Sequence, residues 1–517
     1  MLTLVLLACS GVGEAPPEPP PAEDPGDTAP HELLVAPFLQ SVTPTSAWIC
    51  WETLDGEETI VAFGPTEALG TIVTGTALPN GHGVQHETLL DGLAPDTSYW
   101  YTVRTGATVS APVRFRTAPA ADSRKPFQLV AVSDMQRDDA WPDKWAEVVE
   151  GGILPYVTGT YDAELPEALG LMLLAGDLVD NGWNYADWTG DFFGGAAPLM
   201  GQVPLYPVLG NHEAGSPAYF QYFHLPDNGV PDHEEQWWAF DYVNVRVIGL
   251  DSNTVQTVPE QLEWLDGVLA ETCTDDTIEF VFAELHHPWK SELWPGGEAS
   301  FSGDVVQRLE AFSTTCGKPS IHFFGHTHGY SRGQSRDHTH LWVDVASAGG
   351  ALDTWTSTST ADYEELSVTQ AEYGFVVVEV QPGAFTLRRI SLGSPEAPRD
   401  SEVTDEITVR VDAVPPTTPT VTASEGTLAA SPYAGSGAHG STHWQVSADC
   451  DTFADPVVDR WVQHENWYQG IDTQVGADLT TLPLDPLAAG DWCGRARYRD
   501  RGLAWSEWSE AARFTVP

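Results

Sequence analysis

Apolar strand-like runs that alternate with amphipathic helical stretches over residues 124–400 constrain the fold more than any other feature of the chain. The predicted strands are Phe127–Val132, Leu171–Ala175, Val203–Val208, Ile278–Ala283 and Ile321–Phe324, with a hairpin over Trp238–Leu250. Apolar spacing predicts helices over Trp145–Leu154, Pro259–Glu271 and Val305–Phe312. Such alternation is typical of a layered α/β core, whose reactive groups lie in loops beyond the carboxyl ends of the strands.

Two β-rich segments flank this core. Residues 32–118 contain short strand-like runs separated by turn residues, which predicts a small β-sandwich. Residues 414–517 follow a joint rich in Pro and Thr and return to β character. There Arg495, Arg497 and Arg499 share one strand face, and the following pentapeptide Trp505–Ser509 resembles the WSxWS box of fibronectin-type domains in cytokine receptors. We expect a structural cation–π stack at this place.

The chain is strongly acidic, with 74 Asp and Glu against 23 Lys and Arg and a net charge of -51 over 517 residues. Such a surface repels phosphate backbones and anionic lipid headgroups, which argues against a dedicated nucleic-acid or membrane-surface binder. An anionic substrate would need a strong local positive charge, and a metal ion supplies one. The 42% hydrophobic content is enough for packed cores and excludes global disorder.

The first residues predict export. Leu6-Leu7-Ala8-Cys9 resembles a bacterial lipobox in which Cys9 is lipidated, although the apolar run is short and no Lys or Arg precedes it. A true start upstream of Met1 would explain both departures, and a frayed apolar terminus is the alternative. Residues 10–31, rich in Pro and acidic residues, form an expected tether. We therefore expect a protein lipid-anchored at the bacterial cell envelope.

Export would permit disulfides. The pairs suggested by domain are Cys273 with Cys316 and Cys450 with Cys493, although spacing alone proves neither. Cys50 lies in a predicted strand and is expected to be a buried thiol.

Five polar motifs each follow a predicted strand. They are Asp134-Met135-Gln136, Gly176-Asp177, Gly210-Asn211-His212-Glu213, His286-His287-Pro288 and Gly325-His326-Thr327-His328. Each motif alone is weak, because an Asp after a strand is usually a cap and a lone His is usually a satisfied polar residue. Together they place ionisable groups at strand ends, where burial is costly unless something neutralises them. A pair of divalent cations with carboxylate, amide and imidazole ligands would do so.

The five motifs in this order resemble the calcineurin-like metallophosphoesterase superfamily over all of residues 124–400. Ala36-Pro37-Phe38-Leu39-Gln40 and the later Leu93–Tyr99 resemble the N-terminal domain of purple acid phosphatases. The resemblance implies a central β-sandwich flanked by helices, placed between two small fibronectin-like sandwiches. It also implies an enzyme that hydrolyses phosphomonoesters or phosphodiesters. The expected segments are 1–9, 10–31, 32–118, 124–400 and 414–517.

The resemblance further implies two metal ions, such as Mn, Fe or Zn, and a hydroxide that attacks phosphorus. Asp177 would bridge the two ions. Asp134 and His328, with Gln136 directly or through water, would hold the first ion, and Asn211, His286 and His326 would hold the second. His212 would protonate the leaving oxygen, and Asn211 would help to hold the phosphate. Trp183, Asn184 and Tyr185 could line the substrate pocket, with plain packing as the alternative.

Two positions depart from the relatives. Gln136 stands where many of them place a His ligand, and an amide oxygen is a weaker and harder ligand, which would favour Mn, Mg or Fe at that site. This departure keeps open a second hypothesis, a surface-anchored binding or adhesion lipoprotein with an inactive phosphoesterase domain. The natural substrate, the choice between monoester and diester, and the oligomeric state stay open.

Asp180 is the second departure, because purple acid phosphatases supply a Tyr three residues after the bridging Asp. Without that Tyr, we expect the iron-loaded protein to lack the Tyr-to-iron charge-transfer band that makes those enzymes purple. A visible absorption spectrum of the iron-loaded protein checks this, and a purple protein would contradict it.

Overall fold

Two packed β-sheets form the centre of the computed structural model, which describes residues 29–213, 215–254, 258–355, 361–424 and 426–517. The six-stranded sheet contains, in spatial order, Leu205–Pro207, Leu171–Leu174, Phe127–Val132, Tyr373–Gln381, Ala384–Gly393 and Pro398–Arg410. The seven-stranded sheet contains Trp238–Tyr242, Val245–Gly249, Phe280–Glu284, Ser320–Phe324, His340–Asp344, Tyr330–Gln334 and Leu366–Gln370. Their facing sides share one apolar core, in which the rings of Phe282 and Phe385 lie 5.3 Å apart.

Helices cover the outer sides of this sandwich. The long helices Pro259–Thr274 and Ser300–Cys316 pack on the seven-stranded sheet through Leu265 and Leu309. The other helical segments are Lys144–Glu147, Val148–Ile153, Leu154–Tyr161, Leu165–Ala168, Asp187–Phe192, Phe193–Met200, Pro217–Tyr222 and the 3-10 turn Pro295–Gly297. The layered α/β core predicted from the sequence is therefore confirmed.

The direction of the strands brings the five motifs to one place. The three strands Phe127–Val132, Leu171–Leu174 and Leu205–Pro207 run parallel in the six-stranded sheet. In the seven-stranded sheet the parallel neighbours are Val245–Gly249, Phe280–Glu284, Ser320–Phe324 and His340–Asp344. Each motif begins one to three residues after its strand ends. Since the carboxyl ends of parallel strands meet at the same edge of a sheet, all five motifs gather at one end of the sandwich.

The N-terminal segment folds as two packed sheets, as predicted. One contains Leu33–Gln40, Ser46–Thr53, Val84–Asp91 and Thr76–Pro79, and the other contains Thr71–Thr74, Ile60–Gly64, Ser98–Thr105, Thr108–Val109 and Val113–Arg116. This domain packs directly on the central domain. The rings of Phe38 and Phe193 lie 4.9 Å apart, and the buried Tyr101 hydroxyl donates to the carbonyl of Gly201 at 2.9 Å.

The C-terminal segment is also β-rich. Its strands are Val421–Ser424, Thr427–Ala430 and Thr481–Pro483 in one sheet, Val458–Gln463, His439–Ser447, Gly490–Asp500 and Ala512–Val516 in a second, and the pair Trp467–Tyr468 and Ile471–Asp472. The predicted cation–π stack is confirmed, since the guanidinium of Arg497 lies 4.3 Å from the ring of Trp505 and 4.7 Å from that of Trp508. The fibronectin-type assignment stays a prediction.

A buried arginine joins this domain to the central one. Arg499 donates from both terminal nitrogens to the carbonyls of Ser335 and His338, at 2.9 and 2.8 Å. The indole of Trp505 donates to the carbonyl of Arg336 at 2.6 Å. The loop 335–338 of the central domain is therefore held by side chains of the C-terminal domain.

Disulfides join Cys273 to Cys316 and Cys450 to Cys493, and Cys50 is a buried free thiol as predicted. The expected lipidation site Cys9 and residues 10–28 of the expected tether lie outside the described residues. Among the described helices, none has the length and apolarity that crossing a bilayer requires.

Several predicted boundaries are wrong. The helix predicted over Trp145–Leu154 runs from Lys144 to Tyr161, with a π-helical turn at Val148–Ile153. The helix predicted over Val305–Phe312 spans Ser300–Cys316, because the mostly polar residues on both sides of the apolar stretch are helical as well. The central sheet also continues to Arg410, beyond residue 400.

The disulfide between Cys273 and Cys316 ties together the ends of the two long helices across a separation of 43 residues. Replacing both cysteines by Ser should lower the free energy of unfolding by about 2–4 kcal/mol, mainly because the unfolded chain gains freedom. Urea unfolding measures the change, and reduction of the wild-type protein should lower its stability at least as much, because it also breaks the disulfide between Cys450 and Cys493. Equal stability of the variant and the oxidised wild type would contradict the prediction.

Candidate metal centre

Three of the candidate ligands have left-handed backbone conformations. Asp134, Asp177 and His326 have φ angles of 59°, 50° and 71°. Such values are uncommon outside glycine and mark places where the surrounding structure enforces a turn. Each residue follows the end of a buried strand, so the sharp turn aims its side chain at the space in front of the sheets.

Glycines let these turns approach one another. A Cβ on Gly210 would lie 2.1 Å from Asp177 Oδ1, and a Cβ on Gly325 would lie 2.3 Å from Asp134 Oδ2. Gly176, with φ of 92°, lies equally close to His286, because a Cβ added at Gly176 would lie 2.7 Å from Nδ1 of His286. The glycines of three motifs are therefore required by the close packing of the neighbouring ligand loops.

One group of candidate ligands contains Asp134, Gln136 and His328. His328 Nε2 lies 3.1 Å from Asp134 Oδ1 and 3.0 Å from the side-chain amide of Gln136. With the amide oxygen turned towards His328, the amide nitrogen donates to the carbonyls of Asp134 and Asp177 at 3.2 and 3.1 Å. His328 Nδ1 donates to the carbonyl of Ala351 at 2.6 Å, which leaves Nε2 as the ligand atom.

A second group contains Asp177, Asn211, His286 and His326. His286 Nε2 lies 3.1 Å from both Asp177 Oδ2 and Asn211 Oδ1, while its Nδ1 donates to the carbonyl of Ala175 at 2.9 Å. One ligand atom from each of Asp177, His286 and His326 lies within 4.8 Å of the others. The structure thus brings together both sets of side chains that the motifs predicted.

Carboxylates and imidazoles in these groups shift one another's pKa. Burial lowers the pKa of His286, but the adjacent Asp177 carboxylate outweighs it and raises that pKa to about 10. For His328, burial is likewise outweighed by Asp134, and the pKa rises to about 9. Burial opposes ionisation of Asp134 and Asp177. The neighbouring imidazoles of His328 and His286 nevertheless hold the pKa of both carboxyls below the usual range. Because a ligating imidazole nitrogen must be free of its proton, cation binding here releases protons.

His326 differs from those two imidazoles. Burial and the neighbouring His286 lower the pKa of His326 to about 4, and the same two causes lower that of His287 to about 3. His287 is held by the hydroxyl of Ser252, at 2.9 Å from Nδ1. His326 is therefore a neutral imidazole at pH 7, which is the form that binds a metal.

His212 lies beside the second group. Its backbone N–H donates to Asp177 Oδ1 at 3.0 Å, its Nε2 lies 3.7 Å from Asp177 Oδ2, and its Nδ1 donates to the carbonyl of Asp180. Neighbouring Glu213 is fully buried and accepts from the N–H groups of Val179 and Gly210. Burial and the charge of Asp177 raise the pKa of Glu213 to about 8.

Other supporting residues were not predicted. Asp353 accepts from the backbone N–H of His328 at 2.9 Å, and a Cβ on Gly350 would lie 2.5 Å from the His328 ring. The paired glycines at 349 and 350, which follow a strand and a turn, were the available signal. Glu213 belonged to a predicted motif, but its role in binding two loop N–H groups depends on the fold.

The donor set fits divalent cations. Two buried carboxylates converge with imidazole nitrogens and amide oxygens, and the Nδ1 atoms of His286 and His328 are already committed to backbone carbonyls. Mixed oxygen and nitrogen donors of this kind suit Mn, Fe and Zn. The carboxyl end of the sandwich therefore has the ligand chemistry of a metal centre.

Gly210→Ala tests this arrangement, because the added methyl group would collide with Asp177 Oδ1 and backbone N. We expect the variant to lose most of its bound metal while staying folded. Gly267→Ala is the matched control, since a Cβ there meets nothing within 4 Å. Elemental analysis after dialysis measures the metal content of both variants. Full metal content in Gly210→Ala would contradict the prediction.

Comparison with known proteins agrees with this geometry. Residues 127–330 match the calcineurin-like phosphoesterase family, and residues 35–117 match the N-terminal domain of purple acid phosphatases. Purple acid phosphatase 23 of Arabidopsis thaliana is 23% identical over 347 residues, which cover 56% of this chain and 72% of that protein.

Two solved structures share the fold. Purple acid phosphatase PPD1 from yellow lupin (Lupinus luteus) seeds has a TM-score of 0.56 and 17% identity, over 73% of this chain and 74% of its own. PhoD has a TM-score of 0.56 and 13% identity, over 76% of this chain and 92% of its own. Residues 127–330 therefore form a calcineurin-like phosphoesterase domain that follows a purple acid phosphatase N-terminal domain, and the protein is a phosphoric ester hydrolase.

Proposed function

We propose that the protein is an exported hydrolase of small phosphomonoesters or phosphodiesters that uses two metal ions. The observation that carries the proposal is the pair of ligand groups around the buried Asp177. Asp134, Gln136 and His328 would hold one cation, and Asn211, His286 and His326 the other, with Asp177 bridging both. Two cations bound there would lower the pKa of water and offset negative charge on the phosphoryl group.

The protein's own groups would orient the substrate and move its proton. Asn211 is exposed, with Oδ1 3.1 Å from His286 Nε2, so its amide N–H groups are free to point at a phosphoryl oxygen. The hydrogen bond from His212 Nδ1 to the Asp180 carbonyl fixes the ring with Nε2 on the side of Asp177. Nε2 is therefore the atom that would pass a proton to the leaving oxygen.

Export is supported by the two disulfides. Disulfides persist in oxidising compartments and are rare in the cytosol of most organisms. The lipobox-like Leu6–Cys9 and the acidic tether after it agree with a lipid anchor at the cell envelope. Anchoring through Cys9 is part of the same proposal.

Hydrolysis of p-nitrophenyl phosphate and bis-p-nitrophenyl phosphate tests the proposal. Metal-stripped protein should be inactive and should recover turnover when Mn, Zn, Fe, Mg or Co is added singly. Asp177→Asn should lower kcat/KM by about 10³-fold, since a bridging ligand positions both cations. Asp276→Asn is the matched control and should leave kcat/KM unchanged, because this exposed loop carboxylate precedes the strand Phe280–Glu284, at whose other end the His286 motif lies.

The ratio of the two esters distinguishes a monoesterase from a diesterase. Folded protein that binds metal but hydrolyses neither ester would instead favour the binding or adhesion lipoprotein. Failure to bind any metal would overturn the assignment of the ligands.

A further inference from the structure

Exposed tryptophans surround the candidate metal centre. All 20 tryptophans of the chain belong to the described residues, and three of them are exposed: Trp141 at 44%, Trp183 at 67% and Trp294 at 45%. Trp141 lines a cavity with Gln136, and the ring of Trp294 lies 5.0 Å from that of His326. Large aromatic rings left open to solvent at a site are suited to binding the flat face of a ligand.

Trp183 is the most exposed of the three and lies on the side of His212. A Cβ on Gly215, two residues beyond Glu213, would lie 4.0 Å from Trp183 Cζ2. Gly182, the residue before it, donates its N–H to the carbonyl of His212 at 2.9 Å. The backbone immediately before Trp183 is therefore hydrogen-bonded to the residue that we propose as the proton donor.

A cavity of about 230 Å³ opens beside Trp183, between the N-terminal and central domains. Its walls include Asn80 and His82 from the N-terminal domain and Trp183, Tyr185 and Gln221 from the central domain. The described residues that line it include no Lys or Arg. The volume is below the roughly 300–1,000 Å³ of a site for a drug-sized ligand, so it suits one small ring system. Walls without charged side chains favour an uncharged ring.

A buried carboxylate holds the walls of this cavity in place. Glu52 of the N-terminal domain is fully buried and accepts from Asn80 at 2.7 Å, from the Tyr185 hydroxyl at 2.9 Å and from the Tyr222 hydroxyl at 2.8 Å. The rings of His82 and Tyr185 stack at 4.3 Å. The cavity is therefore pre-formed, with both domains contributing rings to it.

A second cavity, of about 250 Å³, lies beside Gln136 of the first ligand group. Gln136 and Trp141 line it, and its walls also contain the cationic side chains of Arg137 and Lys144 and the carboxylates of Asp143 and Asp191. Charged side chains of both signs therefore line this cavity, whereas the described residues that line the cavity beside Trp183 include no Lys, Arg, Asp or Glu. The neutral, ring-lined cavity is the one next to His212.

We propose that the cavity beside Trp183 binds the leaving group of the substrate and that this group carries an uncharged planar ring, as in aryl or nucleoside phosphoesters. The inference rests on the proposed function, because it takes His212 as the residue that protonates the leaving oxygen. The ring of the leaving group stacks on Trp183, in a cavity whose walls also contain the stacked rings of His82 and Tyr185.

Phenyl phosphate and glycerol 3-phosphate, which lacks a ring, test the proposal on the metal-loaded full-length protein. Trp183→Ala should lower kcat/KM for phenyl phosphate about tenfold, as expected for loss of one stacking partner. The same variant should change kcat/KM for glycerol 3-phosphate less than about twofold. Trp183→Phe should recover much of the loss, and His82→Ala should reduce the preference for phenyl phosphate by a smaller factor.

Trp141→Ala is the matched control, since it removes an exposed tryptophan from the other cavity, and the phenyl preference should persist in it. Equal losses with both esters in Trp183→Ala would overturn the proposal. Loss of the preference in Trp141→Ala alone would place the ring in the cavity that Trp141 lines and would also overturn the proposal.

Binding of phenylphosphonate and methylphosphonate, measured by calorimetry, separates this inference from the proposed function. Trp183→Ala should bind phenylphosphonate about tenfold more weakly and methylphosphonate with unchanged affinity. Should the wild type hydrolyse neither of these monoesters nor bis-p-nitrophenyl phosphate, the proposed function fails, and the phosphonate affinities still decide whether the cavity binds a ring. Unchanged phenylphosphonate affinity in the variant would refute the ring site.

Discussion

Two buried carboxylates, Asp134 and Asp177, are the constraint around which the centre of the protein is organised. Both are almost completely removed from water, and a buried charge is costly unless opposite charge lies against it. His328 and His286 supply that charge at 3.1 Å each. The strand ends, left-handed turns and closely packed glycines described above bring these four side chains together, so the fold at this end of the sandwich is inseparable from its ligand chemistry.

Much of this centre could be predicted from the sequence because its signals are local. Each motif stands directly after a short apolar run, and a buried run such as Phe127–Val132 predicts a strand with the same bounds as observed. Glycines before Asp177, Asn211 and His326 predicted tight turns, and each closely contacts a neighbouring loop. That the motifs meet at one end of the sandwich then follows from the general rule that reactive groups lie beyond the carboxyl ends of parallel strands.

The sequence was less informative where distant pairing decides the structure. The strands Tyr373–Gln381, Ala384–Gly393 and Pro398–Arg410 were not predicted, although they complete the six-stranded sheet. The last of these is largely exposed and rich in charged residues, so its pattern is also that of a surface loop. Support for His328 from Asp353 likewise depends on how a later loop returns to the site.

The few cations of the chain are largely committed to internal contacts. Arg332 is buried against Asp405, Arg246 pairs with Asp241, and Arg499 donates to backbone carbonyls of another domain. Little positive charge therefore remains on the outer surface to attract anions. Selection of a substrate falls to the metal centre and to the uncharged walls around it, since the wider surface favours neutral groups over polyanions.

The hydrogen bonds of Glu52 across the domain boundary have an evolutionary consequence. Its carboxylate lies in the N-terminal domain, whereas two of its three hydrogen-bond donors, Tyr185 and Tyr222, lie in the central one. A recombination event that joined this phosphoesterase domain to a different sandwich would keep every metal ligand but leave the buried Tyr222 hydroxyl and the half-buried Tyr185 hydroxyl without this acceptor. The two domains are thus expected to be inherited as a unit, and a substitution at Glu52 to require compensation across the domain boundary.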